Sequence, residues 1–301
     1  MPVPVKAFKS YDDQLDILIA RGMDVGDRDT AISQLRRLNY YRLSGYWYSF
    51  RRQAGNGVRA DEFYPGTTLS DVVALYDFDS RLRTATFDAL VPVELALRAS
   101  LGHALGEVDE CAHLHARSLS IRATGSDYDR WTKNYFDKLG RSKEEFVTHH
   151  HSRYGGTLPV WVAVEILDWG GLNYLYEFAS DAVQYQVASE YGLTRPQLGS
   201  WLKSLNVIRN ICAHHGRLFN RTLTLTPKLP RGGGIPALGQ VGPVKHRTFA
   251  QLTLIQHMRE AQGVATSRVL AAVVHSYPHN LAVPISHMGV WPQWEHSPLW
   301  S

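Results

Sequence analysis

Val72, Leu75, Tyr76, Asp79, Leu82, Ala85, Thr86, Ala89, Leu90, Val93, Leu97 and Leu101 recur at steps of three and four residues. That spacing lines one face of a long α-helix. Thr68 or Ser70 is placed to cap its start. Pro92 interrupts the pattern and is expected to kink or divide the helix, because proline lacks the donor and clashes with the preceding turn.

The rest of the chain also reads as mostly helical. Ser10 to Ala20 carries Leu15, Ile17, Leu18 and Ile19 and stops near Gly22. A second helix, capped by Asp29 or Thr30, carries Ile32, Leu35 and Leu38. Gly55-Asn56-Gly57 and Phe63-Tyr64-Pro65-Gly66 mark turns. Cys111 to His151 is polar and is expected to break into short helices. Pro159 opens a helix through Trp161, Val164 and Leu167 to Phe178. Thr194-Arg195-Pro196 opens another, with Leu198, Trp201, Leu202, Leu205, Ile208 and Ile211 on its apolar face. Residues 226–245 hold four prolines and Gly232-Gly233-Gly234 and read as a linker. A last helix is expected over roughly Thr248 to Tyr277, followed by a tail with Trp291, Trp294 and Trp300. The division is therefore 1–225, a 226–245 linker, and 246–301.

Composition narrows the function classes. The 301 residues are 44% hydrophobic and 20% charged, which is globular composition. No apolar run is long enough to span a bilayer, and residues 1–10 lack the apolar core of a secretory signal. Two cysteines supply neither a disulfide framework nor a structural zinc cluster. A cytoplasmic protein without membrane contact is expected. The formal charge of +4 permits a polyanionic partner without demanding one. Leu35 to Arg52 contains five arginines and no acidic residue.

The segment Asn206-Val207-Ile208-Arg209-Asn210-Ile211-Cys212-Ala213-His214-His215-Gly216-Arg217-Leu218 ends an amphipathic helix with a dense set of polar groups. Asn210, His214, Arg217 and Arg221 would share a stripe if the helix continued. Arg209 and His214 stand about 140° apart around the axis, so they do not meet within one helix. Histidine can exchange a proton near neutrality, and arginine can hold a phosphate and stabilise charge developing on it. With RNA, the 2′-hydroxyl is a built-in nucleophile, so this pairing suits phosphodiester cleavage without a metal or other cofactor. The simpler reading is a basic helix end whose side chains satisfy terminal carbonyls, and spacing alone favours it.

Together with three further blocks, this motif resembles the Abi-like proteins, bacterial abortive-infection proteins of the AbiD and AbiF type assigned to the HEPN superfamily. The blocks are Leu38-Asn39-Tyr40-Tyr41-Arg42-Leu43-Ser44-Gly45-Tyr46-Trp47; Tyr76-Asp77-Phe78-Asp79 with Leu82-Arg83 and Val93 to Arg98; and Leu158-Pro159-Val160-Trp161 with Glu165 and Gly171-Leu172. They occur in order over roughly Ser10 to Arg221. The resemblance implies an all-α, HEPN-like helical bundle with an additional C-terminal helix and tail. It also implies a homodimer in which two Arg-x4-His motifs face one another. Arg209 and His214 become the catalytic pair, Asn210 their polar companion, and the chemistry metal-independent RNA cleavage leaving a 2′,3′-cyclic phosphate. The setting is phage defence or growth arrest by a toxin, and a regulatory RNA or antitoxin-like protein is a further conceivable partner. A non-catalytic RNA-binding or RNA-regulated module of the same fold is the alternative.

Supporting candidates are His215, Arg217 and Glu165, the last because an acid in an apolar stretch needs a partner and could orient His214 or Arg209. Arg42, Arg51 and Arg52, among the aromatic residues of Tyr40 to Phe50, are candidate RNA contacts, with Arg51 and Arg52 solvated and the aromatics mostly core. Arg98 and His103 repeat the Arg-x4-His spacing, but Glu94 and Arg98 suit a helix pair better. His149-His150-His151 reads as a solvated loop rather than a metal site, and Cys212 as a buried filler.

Overall fold

In the computed structural model, residues 5–55, 57–231, 234–280 and 282–301 are described. Asn56, Gly232 and Gly233, which the sequence assigns to a turn and a linker, lie outside them, as do residues 1–4. Among the described residues the fold is all-α apart from one hairpin. Three helices, α1 (Tyr11–Ala20), α2 (Arg28–Leu38) and α3 (Tyr40–Trp47), lead into antiparallel strands β1 (Arg51–Ala54) and β2 (Val58–Phe63). Ser10 caps α1 through a reciprocal bond with Asp13. Asp27 caps α2, not Asp29 or Thr30, by accepting from the Thr30 amide at 2.9 Å.

The long helix is α4 (Leu69–Gly106). Its 38 residues extend about 57 Å at 1.5 Å per residue. Thr68 caps it in a box with Asp71, and it continues through Pro92 as one element rather than dividing there. On that turn the guanidinium of Arg259 donates to the Ala89 carbonyl at 3.1 Å.

Cys111 to His151 contains α5 (Ser126–Arg141) and α6 (Glu145–Tyr154). His149, His150 and His151 sit on α6, so the expected loop is a helix. Next come α7 (Val160–Ala163), α8 (Trp169–Phe178), α9 (Asp181–Ser189) and α10 (Arg195–Ala213). The single helix expected from Pro159 to Phe178 is two. Leu167 turns extended, and Asp168 caps α8 by accepting from the Gly171 amide at 2.8 Å. The one long helix expected after residue 247 is also two, α11 (Thr248–Ala261) and α12 (Arg268–His275). They are separated at Gly263, whose φ of +68° suits glycine.

Around α4 pack α3, α7, α8, α9, α10, α11 and α12. Helix α7 comes so close that a Cβ on Gly106 would stand 2.9 Å from the Trp161 ring. Every residue of α11 from Thr248 to Met258 is buried. Its amides are satisfied: Gln251 accepts from the Ser204 hydroxyl at 2.6 Å, and Gln256 from the Ser267 amide at 2.7 Å. Residues 226–245 follow α10, where the Lys228 carbonyl accepts from the Trp201 indole at 2.9 Å. Trp294 and Trp300 close over Phe249. Among the described residues no helix is long and apolar enough to cross a membrane.

His113 lies beneath α5, fully buried, edge-on to Tyr135 at 5.0 Å, with neither ring nitrogen partnered among the described residues. Burial pushes its pKa down to about 4. The unfolded chain, titrating near 6.5, therefore binds the extra proton first as pH falls, and stability declines between about pH 6.5 and 4 by roughly 3 kcal/mol. His113→Phe is expected to flatten this part of the pH–stability profile in denaturant titrations. Equal slopes in the two proteins would show that the imidazole finds a partner.

Candidate active site

The site is built on the last turns of α10. Leu198, Trp201, Leu202, Leu205, Ile208, Ile211 and Cys212 hold its inner face in the core. Lys203, Asn206, Asn210 and His214 remain on the outer face, half-buried or exposed. The helix stops at Ala213. His215 takes a left-handed conformation, φ +53°, its amide bonds the Cys212 carbonyl at 3.2 Å, and the Gly216 amide bonds that of Ile211 at 2.8 Å. This pair of bonds closes a helix with a Schellman motif, a position that usually holds glycine. The stripe therefore does not extend to Arg217 and Arg221.

The loop after the helix is pinned from several sides. Arg42 Nη1 donates to the His215 carbonyl at 2.9 Å, and Arg217 Nη1 to the Gly45 carbonyl. The Asp79 carboxylate of α4 is wholly buried. It accepts from the Leu218 amide at 3.2 Å, the Phe219 amide at 2.6 Å, the Tyr46 hydroxyl at 2.6 Å and Arg83. All four partners are donors, so the ionised carboxylate fits. Burial pushes its pKa up, and the charge of Arg83 with the hydrogen bonds opposes that rise. The Thr248 hydroxyl holds the Leu218 carbonyl at 2.7 Å, and Asn220 reaches Ser49 at 3.1 Å. Three parts of the chain, α3, α4 and α11, thus grip one loop.

Arg209 lies with its guanidinium carbon 5.5 Å from the centre of the Phe87 ring of α4. Its Nε is buried with no hydrogen-bond partner among the described residues. Asp168 is near enough to feel its charge. Burial pushes the Asp168 carboxyl up, but Lys138, the Gly171 amide and Arg209 outweigh it and hold the group below the usual carboxylate range. Asn210 is exposed and donates to Asn206 Oδ1 at 3.4 Å. His214 is exposed at the helix end, its amide bonded to the Asn210 carbonyl at 3.0 Å. These three share one helix end, with the arginine toward α4 and the imidazole toward solvent.

Other sequence candidates are employed differently. His215 is exposed and supplies the left-handed turn. Arg217 is half-buried against α3. Glu165 is exposed, and Arg98 reaches its backbone carbonyl at 3.0 Å; among the described residues its carboxylate forms no bond with Arg209 or His214. Arg51 is not solvated: its side chain is 18% exposed and pairs with Asp61 at 3.0 Å. Arg52 is exposed, with Nε on the Phe63 carbonyl at 3.0 Å. Arg98 is buried, pairing with Glu94 and holding the Val164 carbonyl, whereas His103 faces solvent beside Glu107. Cys212 is buried, which pushes its thiol up to about 12.

Asp79, Phe87, Lys138 and Asp168 escape sequence reasoning as parts of this site. Only Asp79 leaves a signal, an acid inside an apolar helical stripe, which demands a buried partner.

A profile of the family described as Abi-like protein matches residues 33–220, from within α2 to the end of the pinned loop. Neither the curated proteins nor the solved structures give a match.

Asp79→Ala strips the loop of its anchor and leaves Arg83 buried without its counter-charge. Such a truncation is expected to cost about 3–5 kcal/mol in chemical denaturation. A loss below about 1 kcal/mol, the range of an exposed pair, would place the anchor elsewhere.

Proposed function

Because this chain belongs to the Abi-like protein family, with its role in abortive infection of phage-attacked bacteria, we propose that it is a metal-independent endoribonuclease of the HEPN type. It acts in the cytoplasm as a homodimer. The observation that carries the reading is the pairing of an exposed His214 with an arginine aimed at a different surface of the same helix end. On this reading two copies together present these groups to one phosphate.

A surface suited to that pairing adjoins Arg209. Phe87, Val91 and Leu95 are 38%, 45% and 55% exposed at four-residue steps on α4. On this reading the row is the seat of the second copy. A second copy seated there would bring both helix ends together.

In the reaction, the ring of His214 takes the proton of the RNA 2′-hydroxyl as that oxygen attacks the adjacent phosphorus. Arg209 stabilises the negative charge on the non-bridging oxygens, and the Asn210 amide donates to them. The bond to the 5′-oxygen breaks, and the imidazolium of the partner's His214 returns a proton to it. The products are a 2′,3′-cyclic phosphate and a 5′-hydroxyl.

Incubating labelled total RNA in EDTA with wild type, Arg209→Ala and His214→Ala, with end-group analysis, tests the assignment. Wild type should leave cyclic phosphate ends, and each variant should lose at least about 10²-fold in rate while melting normally. Full activity in both variants would falsify it, and salt-sensitive binding without cleavage by wild type would favour a non-catalytic RNA-binding module. Leu95→Asp is expected to give a monomer by light scattering and to abolish cleavage. A stable dimer of this variant would move the interface off α4.

A further inference from the structure

The outer stripe of α10 does not end at the motif. His214, Asn210, Asn206, Lys203 and Gly199 continue it at steps of three and four residues, all half-buried or exposed. Gly199 lies about 22 Å along the axis from His214 at 1.5 Å per residue. There the stripe enters a cleft of about 540 Å³ between the first half of α10, the ends of α8 and α9, and segments 120–122 and 225–228.

The cleft carries four cations, Arg122, Arg195, Lys203 and Lys228, against two carboxylates, Glu177 and Asp181. The carboxylates are taken by Lys203 and Arg195. Arg122 and Lys228 are exposed and have no ion-pair partner among the described residues. The buried hydroxyl of Ser120, also in the cleft wall, has no hydrogen-bond partner among them either. By contrast, the cleft of about 360 Å³ beside Asp168 carries three cations and three carboxylates, and offers a polyanion no net attraction.

We propose that the cleft bounded by Arg122 and Lys228 holds the phosphate backbone of single-stranded RNA several nucleotides away from the bond at His214. The inference rests on the endoribonuclease reading and extends its substrate path. Asn206 and Asn210 line the intervening stripe with amides that donate to phosphates and accept from 2′-hydroxyls. Arg122 and Lys228 anchor the strand by charge, which positions RNA without reading its sequence.

Binding to the full-length His214→Ala protein, followed by fluorescence anisotropy through a salt titration, separates this site from the chemistry. The probes are a long labelled single-stranded RNA and a trinucleotide too short to span both regions. Adding Arg122→Glu and Lys228→Glu should weaken the long RNA about tenfold or more and reduce the log–log salt slope by about 1.4, near 0.7 per lost phosphate contact. Arg122→Ala with Lys228→Ala should act in the same direction with the melting temperature unchanged. Unaltered affinity and slope for the long RNA, or an equal loss for the trinucleotide, would overturn the proposal while wild-type cleavage left the endoribonuclease reading standing. No RNA binding by the His214→Ala protein would overturn the proposal as well, and absence of cleavage by wild type would remove the endoribonuclease reading with it.

Discussion

A single buried carboxylate organises the end of α10 and the loop that follows it. Asp79 sits on the central helix where an apolar side chain would otherwise stand, and four donors from three parts of the chain converge on it. Burying a charge is unfavourable unless its hydrogen-bonding capacity is met, and here half of the donors are backbone amides with no other partner among the described residues. The loop after α10 has no helical ladder to satisfy those amides. The carboxylate therefore stands in for secondary structure, and the position of the helix end depends on it.

That helix end keeps Arg209 and His214 in different environments. Arg209 lies over an aromatic ring with part of its guanidinium stem buried, which restricts its freedom. His214 is left in solvent beyond the last helical residue. Capping by His215 in a left-handed conformation stops α10 before Arg217 can join the stripe, and Arg217 is turned to the backbone of α3 instead. A basic cluster in one dimension thus divides, in three, into groups that build the scaffold and groups that remain presented.

Much of the fold is legible where local physics and tertiary packing agree. The apolar stripe of α4 is read correctly, because periodicity over many turns averages out single exceptions, and of the two caps the sequence offers, Thr68 is the one used. The division expected at Pro92 does not occur: the helix runs on through it, with Arg259 donating to the Ala89 carbonyl on the same turn. The break at Leu167 is missed because apolar residues continue across it, that at Gly263 because Val264, Val269 and Val273 resume beyond it, and the hairpin because β1 and β2 are short and mostly exposed. At the candidate site, the shared helix end of Arg209, Asn210 and His214 is readable, since it needs only one element. Arg51 and Glu165 differ from expectation because their environments are set by distant or backbone groups: Asp61 across the hairpin for the first, and a solvent-facing turn after α7 for the second. Asp168 enters through a contact between α8 and α10 that no spacing rule contains.

The depth of α11 has a consequence for what counts as a unit in this chain. The matched family region ends at residue 220, yet α11, which packs on α4 and α10, lies beyond it, with an unbroken run of buried residues. The region recognisable by sequence is therefore shorter than the region that shares one hydrophobic interior. A chimera joined at residue 220 would transplant the recognisable motif but split one hydrophobic interior between two histories, so residues on α4 and α10 would have to be exchanged along with their cover.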